Sequence, residues 1–351
     1  MSGVYVILVN WNGWGDTLEC LESLLRSDYA DLRVIVCDNG SKDGSLDHLR
    51  AWAEGRLEAL PPQGALKSLS FPALEKPLPY LSLTRRQAEA GARDAGAAPR
   101  LVLIDNEENL GFAGGNNVAL RYALSRDDFS HAWLLNNDTA VAPDALSRLM
   151  ERMAQKPQAG ICGSTLLAYG EADRVQAQGG GYYCRWIGLA WHIGRLKRAG
   201  APVDPARVER CMNYVVGASM LVSKRFLQEV GLLCEDYFLY FEEADWALRA
   251  HGRFTLAWAP LSIVHHKIGR SIGTSSNPRD KSATCDFYNI RNRLFFTRRY
   301  FPAALPTVYL ALVGTLLARI LLGKWDRVAM LLKLMLGPAD AQTHPCGRAA
   351  S

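Results

Sequence analysis

Val4 to Val9 is an unbroken apolar, β-branched run, the pattern of a strand buried on both faces of a parallel sheet. Leu18, Leu21, Leu24 and Leu25 then recur at the spacing of one helix face, and Asp16 with Glu19 three residues on has the form of a capping pair for that helix. Val34 to Cys37 repeats the buried-strand pattern. It leaves through the turn-rich Asp38-Asn39-Gly40-Ser41 and predicts a second helix over Ser45 to Trp52. Leu101 to Ile104 and Ala132 to Leu135 are two further short apolar strands, each followed by polar residues and then a helical pattern. The alternation predicts an α/β domain.

Residues 53 to 100 break this rhythm with Ala, Pro, Gly and Arg. They read as a variable insertion with one helix near Arg85 to Arg93. From Gly160 to Ser276 the chain is richer in Gly, Tyr and Trp and less regular, as suits a half that shapes a site over the sheet. Ala303 to Ala318 carries no charge and lies between Arg298-Arg299 and Arg319. That run is shorter than the roughly 20 residues of a spanning helix, and it contains Pro306 and Gly314. Two readings stay open: a helix lying on an anionic leaflet, or one packing its apolar face on the domain.

Composition adds bounds. With 351 residues and 49% hydrophobic content the chain can build a sizeable core, which excludes disorder as the default. The formal charge of +5 is uneven. Arg291, Arg293, Arg298, Arg299, Arg319, Lys324, Arg327 and Lys333 face one acid, Asp326, over residues 291 to 333. This excess is local, and no nucleic-acid partner is expected. The eight cysteines form no Cys-X-X-Cys pair and no metal or disulfide spacing, and the N-terminus lacks a signal-peptide pattern. A cytoplasmic location is therefore expected, at the inner face of the membrane if the C-terminal helix meets lipid.

Ligands of open parallel sheets bind beyond the carboxyl ends of the strands, so the polar residues at strand exits carry the chemistry. Asn10-Trp11-Asn12 follows the first strand. Asp38, after the second, could accept from a ribose or a base edge, although Asp-Asn-Gly-Ser is also an ordinary turn. Asn109, Gly111, Gly115 and Asn116 belong to a glycine-rich stretch before a helix, where backbone can approach a ligand closely. Asn136-Asn137-Asp138 follows the fourth strand. Asp138 is an oxygen ligand suited to Mg²⁺ or Mn²⁺ with a diphosphate completing the shell, or else part of an Asx turn.

Glu242, Glu243 and Asp245 follow an aromatic run. On a helix, Glu242, Asp245 and Arg249 share a face, and an Asp245–Arg249 pair leaves Glu243 free to act as a general base. Trp246 is either a stacking surface for an acceptor sugar or a core residue. His265 or His266 could reach the metal or the diphosphate.

Taken in order, Val9-Asn-Trp-Asn12, Val36-Cys-Asp-Asn-Gly-Ser-Lys-Asp-Gly-Ser45, Asn109-Leu-Gly-Phe-Ala-Gly-Gly-Asn-Asn117, Leu135-Asn-Asn-Asp-Thr139, Gly217-Ala-Ser219, Phe241-Glu-Glu-Ala-Asp-Trp246 and Val264-His-His-Lys267 resemble the family 2 glycosyltransferases of the GT-A fold. The resemblance runs from about residue 4 to about residue 275. It implies a mostly parallel, Rossmann-like sheet flanked by helices over residues 1–275, with a nucleotide-sugar half at 1–140 and an acceptor half at 160–275. A C-terminal helical segment would follow at 280–337 and a tail at 338–351.

The resemblance also implies residue roles. Asp38 would hold the nucleotide, with Asn10, Asn12, Asn109, Gly111, Gly115, Asn116 and Asn137 lining the nucleotide-sugar site. Asn136-Asn137-Asp138 stands where the family has Asp-X-Asp. Its first carboxylate is replaced by Asn136, so Asp138 would carry most of the cation binding, with Asn136 and His266 beside it. Glu243, helped by Glu242, would be the base, a Glu where the family has Asp, and Asp245 and Trp246 would meet the acceptor. The implied reaction is inverting transfer of a sugar from a nucleotide diphosphate to a saccharide or lipid-linked hydroxyl. Tyr-Phe-Glu-Glu-Ala-Asp-Trp is similar to rhamnosyltransferase-like members that build cell-surface polysaccharides. Rivals are a sugar nucleotidyltransferase and a catalytically silent carbohydrate-binding protein.

Overall fold

The computed structural model describes residues 3–61, 64, 66–91, 99–267 and 282–337. The expected domain end near 275, the tail at 338–351 and the helix end at Arg93 lie outside the described residues. The chain falls into two compact units, one drawn from 1–182, 191–238 and 242–271, the other from 183–190, 239–241 and 272–351.

The strands are β1 (Val4–Asn10), β2 (Leu32–Asp38), β3 (Tyr80–Thr84), β4 (Leu101–Asp105), β5 (His131–Asn136), β6 (Thr139–Val141), β7 (Ala159–Ala168), β8 (Glu171–Gln178), β9 (Gly180–Cys184), β10 (Leu189–His192), β11 (Tyr214–Val215), β12 (Ser219–Ser223) and β13 (Thr255–His266). The helices of the first unit are α1 (Trp14–Leu24), α2 (Ser45–Ala53), α3 (Lys67–Ser70), α4 (Arg85–Glu89), α5 (Gly111–Arg126), α6 (Ala145–Gln155), α7 (Pro205–Cys211), α8 (Lys224–Val230) and α9 (Glu242–Ala250). Those of the second are α10 (Ala283–Tyr300), α11 (Leu305–Leu321) and α12 (Trp325–Leu336).

A ten-stranded sheet runs β3-β4-β2-β1-β5-β12-β7-β13-β6, with β8 added to β7. Pairing is parallel from β3 through β5, and β12 then enters antiparallel between β5 and β7. The side-chain period of two divides the core. Val4, Val6 and Leu8 of β1 pack with Leu18, Leu21 and Leu24 of α1 on one face. Tyr5 and Ile7 pack with Val118, Leu120 and Tyr122 of α5 on the other. Both faces are thus covered by helices, which is why β1 reads as a continuous apolar run.

Two local expectations change. Helix α1 begins at Trp14 with Gly13 at its cap and no side-chain cap bond, so Asp16 and Glu19 do not form a capping pair. Their carboxylates instead receive the Lys267 ammonium at 2.5 and 2.6 Å. Within the expected insertion, Tyr80–Thr84 forms an edge strand of the main sheet, in register with Leu101–Asp105. Helix α4 follows directly, closed by a capping box between Thr84 and Gln87.

Candidate active site

The exits of β1, β2 and β5 are joined by one chain of polar side chains. Asn10 is fully buried at the end of β1 and donates its Nδ2 to Asp38 Oδ1 at 2.6 Å. Ser41 Oγ donates to the same oxygen at 2.7 Å, and the Ser41 amide to Oδ2 at 3.0 Å. Ser41 Oγ in turn accepts from the Asn12 amide, while Asn12 Oδ1 accepts from the Lys42 amide. On the other side Thr17 Oγ1 donates to Asn10 Oδ1 at 2.8 Å, and Asn137 Nδ2 donates to Thr17 Oγ1 at 2.9 Å. Asp38, Asn10 and Asn137 are therefore held in a fixed arrangement. Thr17, which links Asn10 to Asn137, escaped the sequence reading because a lone hydroxyl has no motif, and Ser41 was read only as part of a turn.

Asp138 lies in the tight link between β5 and β6. A bulge in β13 between Ala259 and Ile263 shifts its register, so that Val264, His265 and His266 pair with β6 and His266 lies opposite Thr139. This brings His266 Nε2 to 3.2 Å from Asp138 Oδ1. Strand alternation points His265 away: it is buried, and its Nδ1 has no hydrogen-bond partner.

The tautomer of His266 follows from its neighbour on β8. Gln176 donates its Nε2 to the His266 carbonyl at 2.7 Å, which turns its Oε1 to His266 Nδ1 at 3.0 Å. Nδ1 therefore carries a proton, and in the neutral ring Nε2 keeps its lone pair. Asp138 Oδ1, buried, accepts no hydrogen bond. Asn136 Nδ2 stands 3.3 Å from the same Nε2 and donates to it; with that amide turned over, Asp138 Oδ1, Nε2 and the Asn136 oxygen would be acceptors that suit a cation. Among the described residues no three His, Cys, Asp or Glu side chains converge as a complete metal cage, so other ligands would have to fill the shell.

Glu243, in the first turn of α9, accepts from the Gly217 amide through Oε1 at 3.2 Å. A Cβ on Gly217 would stand 2.5 Å from that oxygen, so glycine here makes room for the carboxylate. The next residue, Ala218, accepts the amide of Asn136 at 3.0 Å. A short run of backbone thus connects the Glu243 carboxylate to the Asn136-Asn137-Asp138 link. Burial raises the Glu243 carboxyl above the ordinary range, its own backbone and the Gly217 amide opposing.

The remaining acids behave differently. Glu242 is 2% exposed. Asp245 is fully buried, pairs with Arg249 at 2.7 Å and accepts from the Tyr237 hydroxyl at 3.3 Å. Trp246 is fully buried, donates to the Gly231 carbonyl at 2.8 Å and packs edge-on against Phe226. The acceptor role expected for Asp245 and Trp246 is thus corrected: neither offers a face to solvent, and both anchor α9 in the core.

The glycine-rich stretch is also reassigned. Gly111 has φ +71°, and a Cβ there would lie 2.3 Å from the Phe238 carbonyl; one on Gly115 would meet Asn39 and Val9 under 3 Å. These glycines let α5 approach neighbouring chain rather than a ligand. Asn109 Oδ1 receives the Gly111 amide at 2.9 Å, and Asn116 donates to the Phe112 carbonyl at 2.8 Å.

Comparison with known proteins agrees with this architecture. The profile described as Glycosyl transferase family 2 matches residues 5–98 and 82–185. The low-salt glycan biosynthesis hexosyltransferase Agl10 of Haloferax volcanii is 23% identical over 230 residues, 66% of this chain and 69% of that protein. Among solved structures, GalNAc-T7 with UDP, GalNAc and Mn²⁺ has a TM-score of 0.50 at 12% identity, covering 83% of this chain and 50% of that one. The mannosyltransferase PcManGT from Pyrobaculum calidifontis, with GDP-Man and Mn²⁺, has a TM-score of 0.49 at 15% identity, covering 95% and 84%. With the two profile matches together spanning more than half of the sequence, the chain belongs to glycosyl transferase family 2 and is a glycosyltransferase of the GT-A fold.

Proposed function

We propose that this glycosyltransferase is an inverting, metal-dependent enzyme that moves a hexose or deoxyhexose, rhamnose being one candidate, from a nucleotide diphosphate to a saccharide or lipid-linked hydroxyl. The reading is carried by one observation: Asp138 Oδ1 and His266 Nε2, 3.2 Å apart, stand beside the backbone that seats Glu243. Asp138 and His266 would hold a divalent cation, Mg²⁺ or Mn²⁺, and Asn136, with its amide turned over, would add an oxygen. A bound cation would neutralise charge on the departing diphosphate. Asp38, braced by Asn10 and Ser41, keeps capacity on Oδ2 for a donor group of the nucleotide. Glu243 takes the proton of the acceptor hydroxyl as that oxygen attacks the anomeric carbon on the face opposite the diphosphate. Its raised proton affinity suits it to accepting that proton.

The test is a thermal-shift panel of UDP-, dTDP- and GDP-sugars with and without Mn²⁺. A donor at about a hundred times its Kd should stabilise the fold by about 2.7 kcal/mol. Stabilisation by one nucleotide class that requires the metal, followed by transfer or slow hydrolysis releasing the nucleoside diphosphate, is expected. Release of pyrophosphate would point to a nucleotidyltransferase, and metal-independent binding without turnover to a silent carbohydrate-binding protein.

A further inference from the structure

We infer that the outer face of α11 and α12 is a docking surface for an anionic lipid leaflet, met side-on and not spanned. Helix α11 turns Val308, Leu312 and Arg319 inward, onto Ile290 and Leu294 of α10 and Leu331 and Leu334 of α12. Its opposite face is apolar and open. Leu310 is 72% exposed, Leu317 55% and Leu321 87%, and Trp325 and Leu336 of α12 are exposed as well. The segment Pro302–Leu321 has a mean hydropathy of 1.8, and 22% of it is buried, whereas a core helix of that composition would be mostly covered. Soluble monomers rarely leave large apolar faces to water.

The length alone would permit a span, but the packing argues against one. Arg319 and Asp286, 7% and 3% exposed, are paired at 2.8 Å and fasten α11 along α10. Helix α10 buries Arg291, Asn292 and Arg293 as well. Driving α11 through a bilayer would strip a buried ion pair of its partner or drag these polar groups into hydrocarbon. Lying in the interface costs neither, and it places the Trp325 ring at the depth such rings favour.

Charge selects the occupant. The same helical segment carries exposed Arg299 and Lys333 and half-buried Lys324, while its acid, Asp326, is paired with Arg327 at 2.8 Å. A second copy docked through the same face would bring like charges together across the symmetric interface. An anionic leaflet satisfies both the apolar face and these bases, each basic residue near it adding a favourable contribution.

The full chain should be floated with vesicles of phosphatidylcholine alone and of phosphatidylcholine mixed with phosphatidylglycerol. Flotation is expected with the mixed vesicles and weakens with added salt. The double variant Leu310→Glu, Leu317→Glu alters exposed positions, should keep the parent's circular dichroism and melting, and should lose partitioning by roughly a hundredfold. The pair Arg299→Gln, Lys333→Gln should reduce the preference for mixed vesicles while leaving α11 packed. Absence of flotation, or flotation that the leucine variant does not change, overturns the inference. Equal flotation on both vesicles overturns the assignment to anionic lipid. Sedimentation showing a dimer that the leucine variant dissolves, without vesicle binding, assigns the face to a second copy instead.

Discussion

Glu243 carries a carboxylate that burial disfavours in its charged form, and its protonation has two readable consequences. Only the deprotonated side chain can accept the hydroxyl proton, so turnover falls as pH drops through its raised folded value, above the 4.5 of an ordinary Glu. Glu243→Gln should cut turnover by about 10²- to 10⁴-fold, abolish that acid limb and leave the donor Kd unchanged. Stability moves the opposite way. The unfolded chain releases this proton at lower pH than the folded one, so the cost of the charge is absent below the unfolded value and complete above the folded value. The Gln variant should therefore melt above the parent at neutral pH and match it in acid. A parent with full turnover well below the ordinary Glu range would remove Glu243 from the role.

Gln176 makes a separate claim, that a neutral amide sets the state of His266. Gln176→Leu should weaken Mn²⁺ binding about 10- to 100-fold, read by electron paramagnetic resonance without donor, while Gln176→Glu, which keeps an acceptor for Nδ1, retains more of it. Unchanged Mn²⁺ affinity in the Leu variant would show that the amide does not orient a ligand. None of this was legible in the sequence, because Gln176 and His266 are 90 residues apart. Asp138, Asp38 and Glu243 could be singled out, since each follows an apolar run at a strand exit or a helix start. Asp245 and Trp246 share the same motif, but which residues of a helical turn face inward depends on what packs against it.

Among elements, the parallel half of the sheet was the most readable. Strands β1, β2, β4 and β5 are buried on both faces, and sequence alone brackets each to within a residue or two. Strand β3 was lost in the expected insertion because it is a half-exposed edge with one buried residue, Leu83, and edge strands carry little apolar signal. The strands after residue 160 hide for another reason. Gly163 and Gly180 sit in β7 and β9, where added Cβ atoms would strike the Gly179 and Tyr214 carbonyls at 2.2 and 2.1 Å, so close backbone approach replaces the usual β-branched pattern. The misread start of α1 is instructive as well, since Asp16 and Glu19 have the spacing of a local cap but serve a residue at the far end of β13. Lys267→Met should leave those two carboxylates side by side with no cation, costing about 3 kcal/mol of unfolding free energy in urea titrations, with Lys267→Arg recovering part. A Met variant as stable as the parent would mean that the cluster contributes nothing to joining α1 and β13.

For the molecule as a whole, family membership came from the order of motifs, each of which is weak alone, and the profile match over residues 5–185 agrees with that order. The proposed chemistry depends on three chain segments meeting. The link between β5 and β6 brings Asp138, the bulged end of β13 brings His266, and α9 brings Glu243 by way of the Gly217 amide. The most direct test is a crystal structure of the Glu243→Gln variant, grown with Mn²⁺ and the nucleotide sugar that stabilises it, with manganese located by its anomalous signal. The account predicts one manganese bound by Asp138 Oδ1 and His266 Nε2 and bridged to the diphosphate, with the substituted side chain facing the anomeric carbon opposite the leaving oxygen. Manganese bound elsewhere, or a donor seated with position 243 on a remote surface, would contradict it.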